Sequence, residues 1–165
     1  MFLGMDRFRK MDKSELMKAL LKCMESQLRR HHAANKQASD GATNEESRAE
    51  TKWDTCGLEA SYLARGHAMQ FKQLAAQIDE LRSMSTVSFQ DKPIGIGAFV
   101  EVDIDGFRDF FFLMHHGGGI ELKLEMGVVT VITPESPVGA ALKGKTAGAS
   151  YQLKSGLSGN IVFVC

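Results

Sequence analysis

The chain has 165 residues, 44% of them apolar, enough to bury a core in one domain of ordinary size or two small ones. Its 20 Lys and Arg balance 20 Asp and Glu, so the totals exclude both a nucleic-acid-coating charge and an acidic tail. No apolar run approaches membrane-spanning length, and Asp6, Arg7, Arg9 and Lys10 interrupt the opening Met-Phe-Leu-Gly before a signal-type segment forms. A soluble cytoplasmic protein with no membrane partner is expected. Cys23, Cys56 and Cys165 are odd in number and lack metal-ligand spacing, so they read as reduced thiols.

From Asp12 onward, Leu16, Met17, Leu20, Leu21, Met24 and Leu28 recur at three-to-four spacing with neither Gly nor Pro before Gly41, which predicts a long amphipathic helix. A second such pattern runs through Leu58, Tyr62, Leu63, Met69, Leu74, Ile78 and Leu81, weakened only at Gly57 and Gly66. Two long helices with a short connection predict an antiparallel hairpin over about 12–84, and at ~1.5 Å per residue it projects roughly 40 Å.

After a polar stretch, Ser83 to Lys92, the chain turns to short alternating runs rich in Gly, Val, Ile and Phe. Strands are predicted at Gly97 to Ile104, Arg108 to Met114, Glu121 to Ile132 with an interruption, Ser150 to Leu153 and Asn160 to Val164. Asp105-Gly106 and Ser158-Gly159 are the predicted turns. Ser136 to Gly144 predicts one short helix, with serine as N-cap, Pro137 in the first helical position and glycine past the end. The fold class is therefore α+β, a helical hairpin followed by a compact strand-rich domain.

Charge is unevenly placed. Residues 1–39 carry nine Lys and Arg against four Asp and Glu, whereas residues 40–60 carry two against six. Asp40, Glu45, Glu46, Glu50 and Asp54 gather in the connection between the helices, where mutual repulsion favours a cationic ligand. Thr43-Asn44-Glu45-Glu46 also fits a capping box, with threonine capping the second helix and Glu46 reaching back, and a solvated tip is the other structural alternative.

His31-His32 and His115-His116 suggest metal, but adjacent histidines on a helix diverge and no carboxylate or cysteine stands at ligand spacing, so solvated or partly buried side chains are expected. His116-Gly117-Gly118-Gly119 reads as a turn and not as a phosphate loop. Phe107, Phe110, Phe111 and Phe112 read as mostly core, with one available to a partner. The serines lack a His/Asp arrangement, so nucleophilic catalysis has no support.

The run VITPESPVGAALKGKTAG, residues 131–148, resembles the C-terminal signature of the bacterial transcript-cleavage factors GreA and GreB. In that signature a strand, a serine-proline-capped short helix and a Gly-Lys turn follow in this order. ESRAETKWDTCGLEASYLARG, residues 46–66, is similar to the GreA/GreB-like branch. The resemblance implies an N-terminal coiled-coil hairpin over 1–84 with an acidic tip around 40–54. It also implies an FKBP-like polymerase-binding domain over 92–165, with Ser136, Pro137, Lys143, Gly144 and Lys145 at the partner surface.

The function so implied is transcription elongation and its regulation at DNA-bound RNA polymerase. The hairpin enters the secondary channel, approaches the nascent RNA 3′ end indirectly, and stimulates the polymerase's own Mg²⁺-dependent cleavage of backtracked RNA. The factor then needs no complete active site or cofactor of its own. Two-metal phosphodiester cleavage requires hard oxygen ligands, and one or two added carboxylates can complete the second Mg²⁺ site. The family's tip carries Asp-x-x-Glu, which is missing here. Aligning Trp53 with the family's tip-proximal tyrosine places the pair near Glu46 and Glu50. Glu45 and Glu46 are the first candidates for catalysis and metal, Glu50 the next, and Asp40 and Asp54 stand behind them.

Two further functions follow from the same residues. A binding-only modulator or inhibitor of polymerase fits the missing Asp-x-x-Glu, and a prolyl isomerase fits the FKBP-like expectation, though fold alone does not carry that activity. Self-association through apolar positions of the hairpin is also compatible with the pattern.

Overall fold

The computed structural model describes residues 12–43, 56–124 and 127–165. In chain order the elements are α1 (Lys13–Thr43), α2 (Cys56–Ser83), β1 (Phe99–Ile104), β2 (Phe107–Leu113), β3 (Glu121–Leu124), β4 (Gly127–Ile132), α3 (Pro137–Leu142), β5 (Ser150–Gln152) and β6 (Ser158–Val164). The protein is thus α+β, with one mixed six-stranded sheet. Two compact units are present. One takes the start of α1 through Leu20 together with Ser85–Cys165, and the other is Leu21–Met84.

α1 starts where Asp12 caps it. The Asp12 carboxylate accepts from the Ser14 amide at 2.9 Å and from the Ser14 hydroxyl at 2.6 Å, and these bonds hold its pKa below the usual 3.8. Leu16 and Leu20 of the first turns are fully buried. Lys13 beside them donates to the carbonyl oxygens of Val87 and Gly97, with Gly97 at 3.0 Å, and its ammonium lies 4.8 Å from the centre of the Phe89 ring. Burial lowers the Lys13 pKa below 10.5.

In the helical unit Met24, Leu74, Ile78 and Leu81 are buried at the expected spacing. Glu25 meets Arg82 at 2.7 Å, and the rings of His32 and Phe71 stand 5.7 Å apart. Partner numbers fall along α2 as they rise along α1, so these segments run in opposite senses. Thr43, expected to cap the second helix, is itself helical and closes α1.

The strand order is β3-β4-β2-β1-β6-β5, with β2 and β4 parallel and every other neighbouring pair antiparallel. The centre of the sheet is buried on both faces, and β4 (GVVTVI) is correspondingly apolar, whereas β1 (FVEVDI) carries Glu101 and Asp103 on one of its faces. One face carries Val100, Val102, Leu113, Ile132, Tyr151, Ile161 and Val164 and packs with Leu142 of α3. The other carries Phe99, Phe112, Leu122, Val129 and Val131, all at most 1% exposed. A register shift between Glu101 and Val102 lets Ile161 and Val164, three residues apart, reach the same face.

The β1–β2 turn is as expected, with φ of 51° at Asp105 and 87° at Gly106, the signature of a tight hairpin. The Ser158-Gly159 turn is not. Those residues are the first of β6, and the chain reverses at Leu153–Leu157, where the Leu153 amide donates to Leu157 O at 2.7 Å and Gly156 takes φ of 93°. Gly159 is a close-approach glycine. A Cβ there would stand 2.6 Å from Asp103 O and 3.0 Å from the Tyr151 ring opposite.

The phenylalanine run divides as expected, mostly buried with one ring exposed. Phe112 is buried, Phe110 and Phe111 are half-buried, and Phe107 is 77% exposed. On the Phe110 side of the sheet, Arg108 bridges the buried carboxylate of Glu101 at 2.7 Å and Asp103 at 3.1 Å.

Candidate partner-binding site

The sequence signature at 131–148 folds as strand, capped helix and glycine turn. Ser136, with extended φ and ψ, accepts from the Gly139 amide at 3.1 Å through Oγ and donates from the same atom to Thr133 O at 2.7 Å. Pro137 then opens the helix, where a missing N–H costs nothing. Gly139 must be glycine for a spatial reason, because a Cβ would fall 1.9 Å from Thr133 O. At the far end, Gly144 at φ of 80° donates to Ile94 O at 2.8 Å while the Ile94 amide donates to Lys145 O at 2.7 Å. These two bonds fasten the end of the segment to Ile94.

Beside α3 lies an open cleft of about 600 Å³, lined by Pro137, Ala140 and Ala141 on the helix, Glu135 before it, Gln152 at the end of β5, and Leu153, Lys154 and Ser155 after it. Its walls are mainly apolar, with Glu135 and Lys154 supplying one charge of each sign. Of the five residues expected at the partner surface, Pro137 lines this cleft. Ser136, Gly144 and Lys145 serve the local fold through the bonds above, and Lys143, exposed, follows the last turn of α3. Ala140, Ala141 and the Gln152–Ser155 segment were not singled out by sequence. The signal present was the one-face spacing of Pro137, Ala140 and Ala141, but nothing in the sequence pairs that face with the end of β5.

Tyr151 of β5 is buried in the core that includes Leu142 of α3. Its phenol is pushed above the ordinary 10.0 by burial and, secondarily, by the charge of Asp109. The Cys165 thiol is pushed up by burial, with the nearby Lys13 charge working against that shift.

The acidic candidates lie elsewhere. Asp40 falls in the last turn of α1, while Glu45, Glu46, Glu50 and Asp54 lie outside the described residues. Among the described residues no three His, Cys, Asp or Glu side chains gather as a metal site. His115 is exposed, and its ring stands 6.2 Å from that of His116. Gly117 and Gly119 take φ of 82° and 85° in the turn that follows. No helix among the described residues is long and apolar enough to cross a membrane.

No family model matches the chain, and no curated protein matches it. Among solved structures, it is similar over 88% of its length to GreA factor homolog 1 (Gfh1) of Thermus thermophilus, with 94% of that chain covered, 21% identity and a TM-score of 0.35. A structure of the transcription factor Gfh1 matches over 89% of this chain and 94% of its own, at 22% identity and a TM-score of 0.38. Gfh1 of Thermus aquaticus matches over the same shares at 20% identity and a TM-score of 0.35. The structural neighbours are therefore Gfh1, a GreA factor homolog, and at these TM-scores the likeness carries nothing further.

Proposed function

We propose that the protein is a transcription factor that binds RNA polymerase and stimulates the polymerase's own cleavage of backtracked RNA. The observation that carries this proposal is residues 131–148, whose Gre-type order of strand, Ser-Pro cap, short helix and glycine turn is the order the chain folds into. The strand-rich unit, read as FKBP-like, offers the cleft beside α3 to the polymerase. The two long helices, read as the hairpin, carry the acidic connection into the secondary channel.

There Glu45 and Glu46, with Glu50, Asp40 and Asp54 in reserve, are the carboxylates proposed to complete a shared Mg²⁺ site. Mg²⁺ held between polymerase and factor would supply charge neutralisation and an activated water. The protein is then not an enzyme by itself, meets the RNA 3′ end only through that site, and works in the cytoplasm.

The missing Asp-x-x-Glu favours a second reading, a binding-only modulator in the same channel. An isomerase is the remaining reading; the described residues lining this cleft are Glu135, Pro137, Ala140, Ala141, Gln152, Leu153, Lys154 and Ser155. The test is RNA cleavage in a backtracked elongation complex with wild type and a Glu45→Ala/Glu46→Ala double variant. Cleavage lost in the variant, with polymerase binding retained, is the expected result. Binding without cleavage by the wild type selects the modulator, and no binding removes both.

A further inference from the structure

β3 lies at one edge of the sheet, and its backbone has a definite polarity. Glu121 pairs with Thr130 and Leu122 with Val129, and the Val131 amide donates to Ile120 O at 2.8 Å. In an antiparallel ladder the inward groups alternate, so Leu122 and Leu124 turn their N–H and C=O toward β4, as Ile120 turns its C=O while its N–H donates to Gly117 O at 3.1 Å, and Glu121 and Lys123 turn theirs outward. Among the described residues nothing takes up those outward groups. Glu121 and Lys123 side chains are exposed on one face of the edge, and Leu122 is buried on the other.

We infer that this edge pairs with β3 of a second copy, antiparallel and two-fold symmetric about Leu122. Hydrogen bonding requires an outward residue opposite an outward residue, which allows three registers. Centring on Glu121 sets glutamate against glutamate, and centring on Lys123 sets lysine against lysine. Centring on Leu122 alone sets Glu121 against the partner's Lys123 twice, with reciprocal backbone bonds at both pairs. The opposite face then carries Ile120 against Leu124, Leu122 against Leu122, and Leu124 against Ile120, an unbroken apolar row. A charged edge normally prevents pairing. Here the two signs, two residues apart, repel a strand in the wrong register and match a copy in one register.

The interface is short and the association correspondingly weak. Sedimentation of the full chain from micromolar to millimolar concentration is expected to show a monomer–dimer equilibrium. By NMR hydrogen exchange, the Glu121 and Lys123 amides gain protection with concentration, whereas Leu122 and Leu124 are protected throughout. Because each substitution counts twice, Lys123→Glu or Glu121→Lys weakens the dimer on the order of tenfold, and the Glu121→Lys/Lys123→Glu exchange restores it. A chain that stays monomeric at millimolar concentration overturns the inference. So does a dimer indifferent to both single reversals, which would place self-association on another surface such as the exposed Tyr62 and Met69 of α2.

Discussion

The Lys13 ammonium lies 4.8 Å from the centre of the Phe89 ring, and the same group donates to Val87 O and Gly97 O. One side chain thereby fastens the first turn of α1 to the segment that leads into β1. Lys13→Met keeps the stem and removes the charge, leaving two carbonyls without this donor. Urea denaturation is expected to register a loss of about 1–2 kcal/mol, and an unchanged midpoint would show that water replaces the donor at no cost.

Glycine to alanine should have opposite signs at two positions. At Gly66, inside α2, an added Cβ meets nothing within 4 Å, so Gly66→Ala is expected to stabilise by roughly 0.5–1 kcal/mol through helix propensity. At Gly139 the same methyl would stand 1.9 Å from Thr133 O, and Gly139→Ala is expected to cost more than about 3 kcal/mol or to unfold the strand-rich unit. Thermal melts of both variants decide the matter, and a neutral Gly139→Ala would mean that the Ser136 cap can shift away from Thr133.

Much of this was legible beforehand. Long apolar periodicity marked α1 and α2, and the Ser136-Pro137 cap marked α3, because helix signals are local. The misplaced Ser158-Gly159 turn shows where local signals stop. Gly159 is small because Asp103, distant in sequence, and its cross-strand partner Tyr151 press on it, and only the assembled sheet reveals that. The Ile161 and Val164 spacing was equally opaque, since the β6 register shift has no local mark. The cleft needed the end of β5 brought to α3, a tertiary fact, whereas the acidic candidates were visible as composition alone.

Tyr151 should titrate late. Its folded-state pKa lies above 10.0, so the unfolded chain loses the phenol proton first. The stabilisation is fully present below about pH 10 and is lost as pH rises through the raised value. The near-ultraviolet phenolate band of wild type against Tyr151→Phe is expected to show a midpoint above that of free tyrosine. A midpoint at or below 10 would mean that the ring is hydrated.

Ala140 is exposed on the wall of the cleft, so Ala140→Glu adds charge there without disturbing the core. If the cleft receives the polymerase, affinity should fall at least about tenfold, since a buried unpaired carboxylate at an interface costs more than 1.4 kcal/mol. Equal binding by variant and wild type would move the contact elsewhere.

The placing of β6 between β1 and β5 has a kinetic consequence. β1 can pair with β2 as soon as both exist, yet its other neighbour is β6, and Val100 must find Val164 across the whole of β2 to β5. Such non-local pairing raises contact order, so closure of the sheet, and not formation of the long helices, is the step that should govern how fast the protein reaches its folded state.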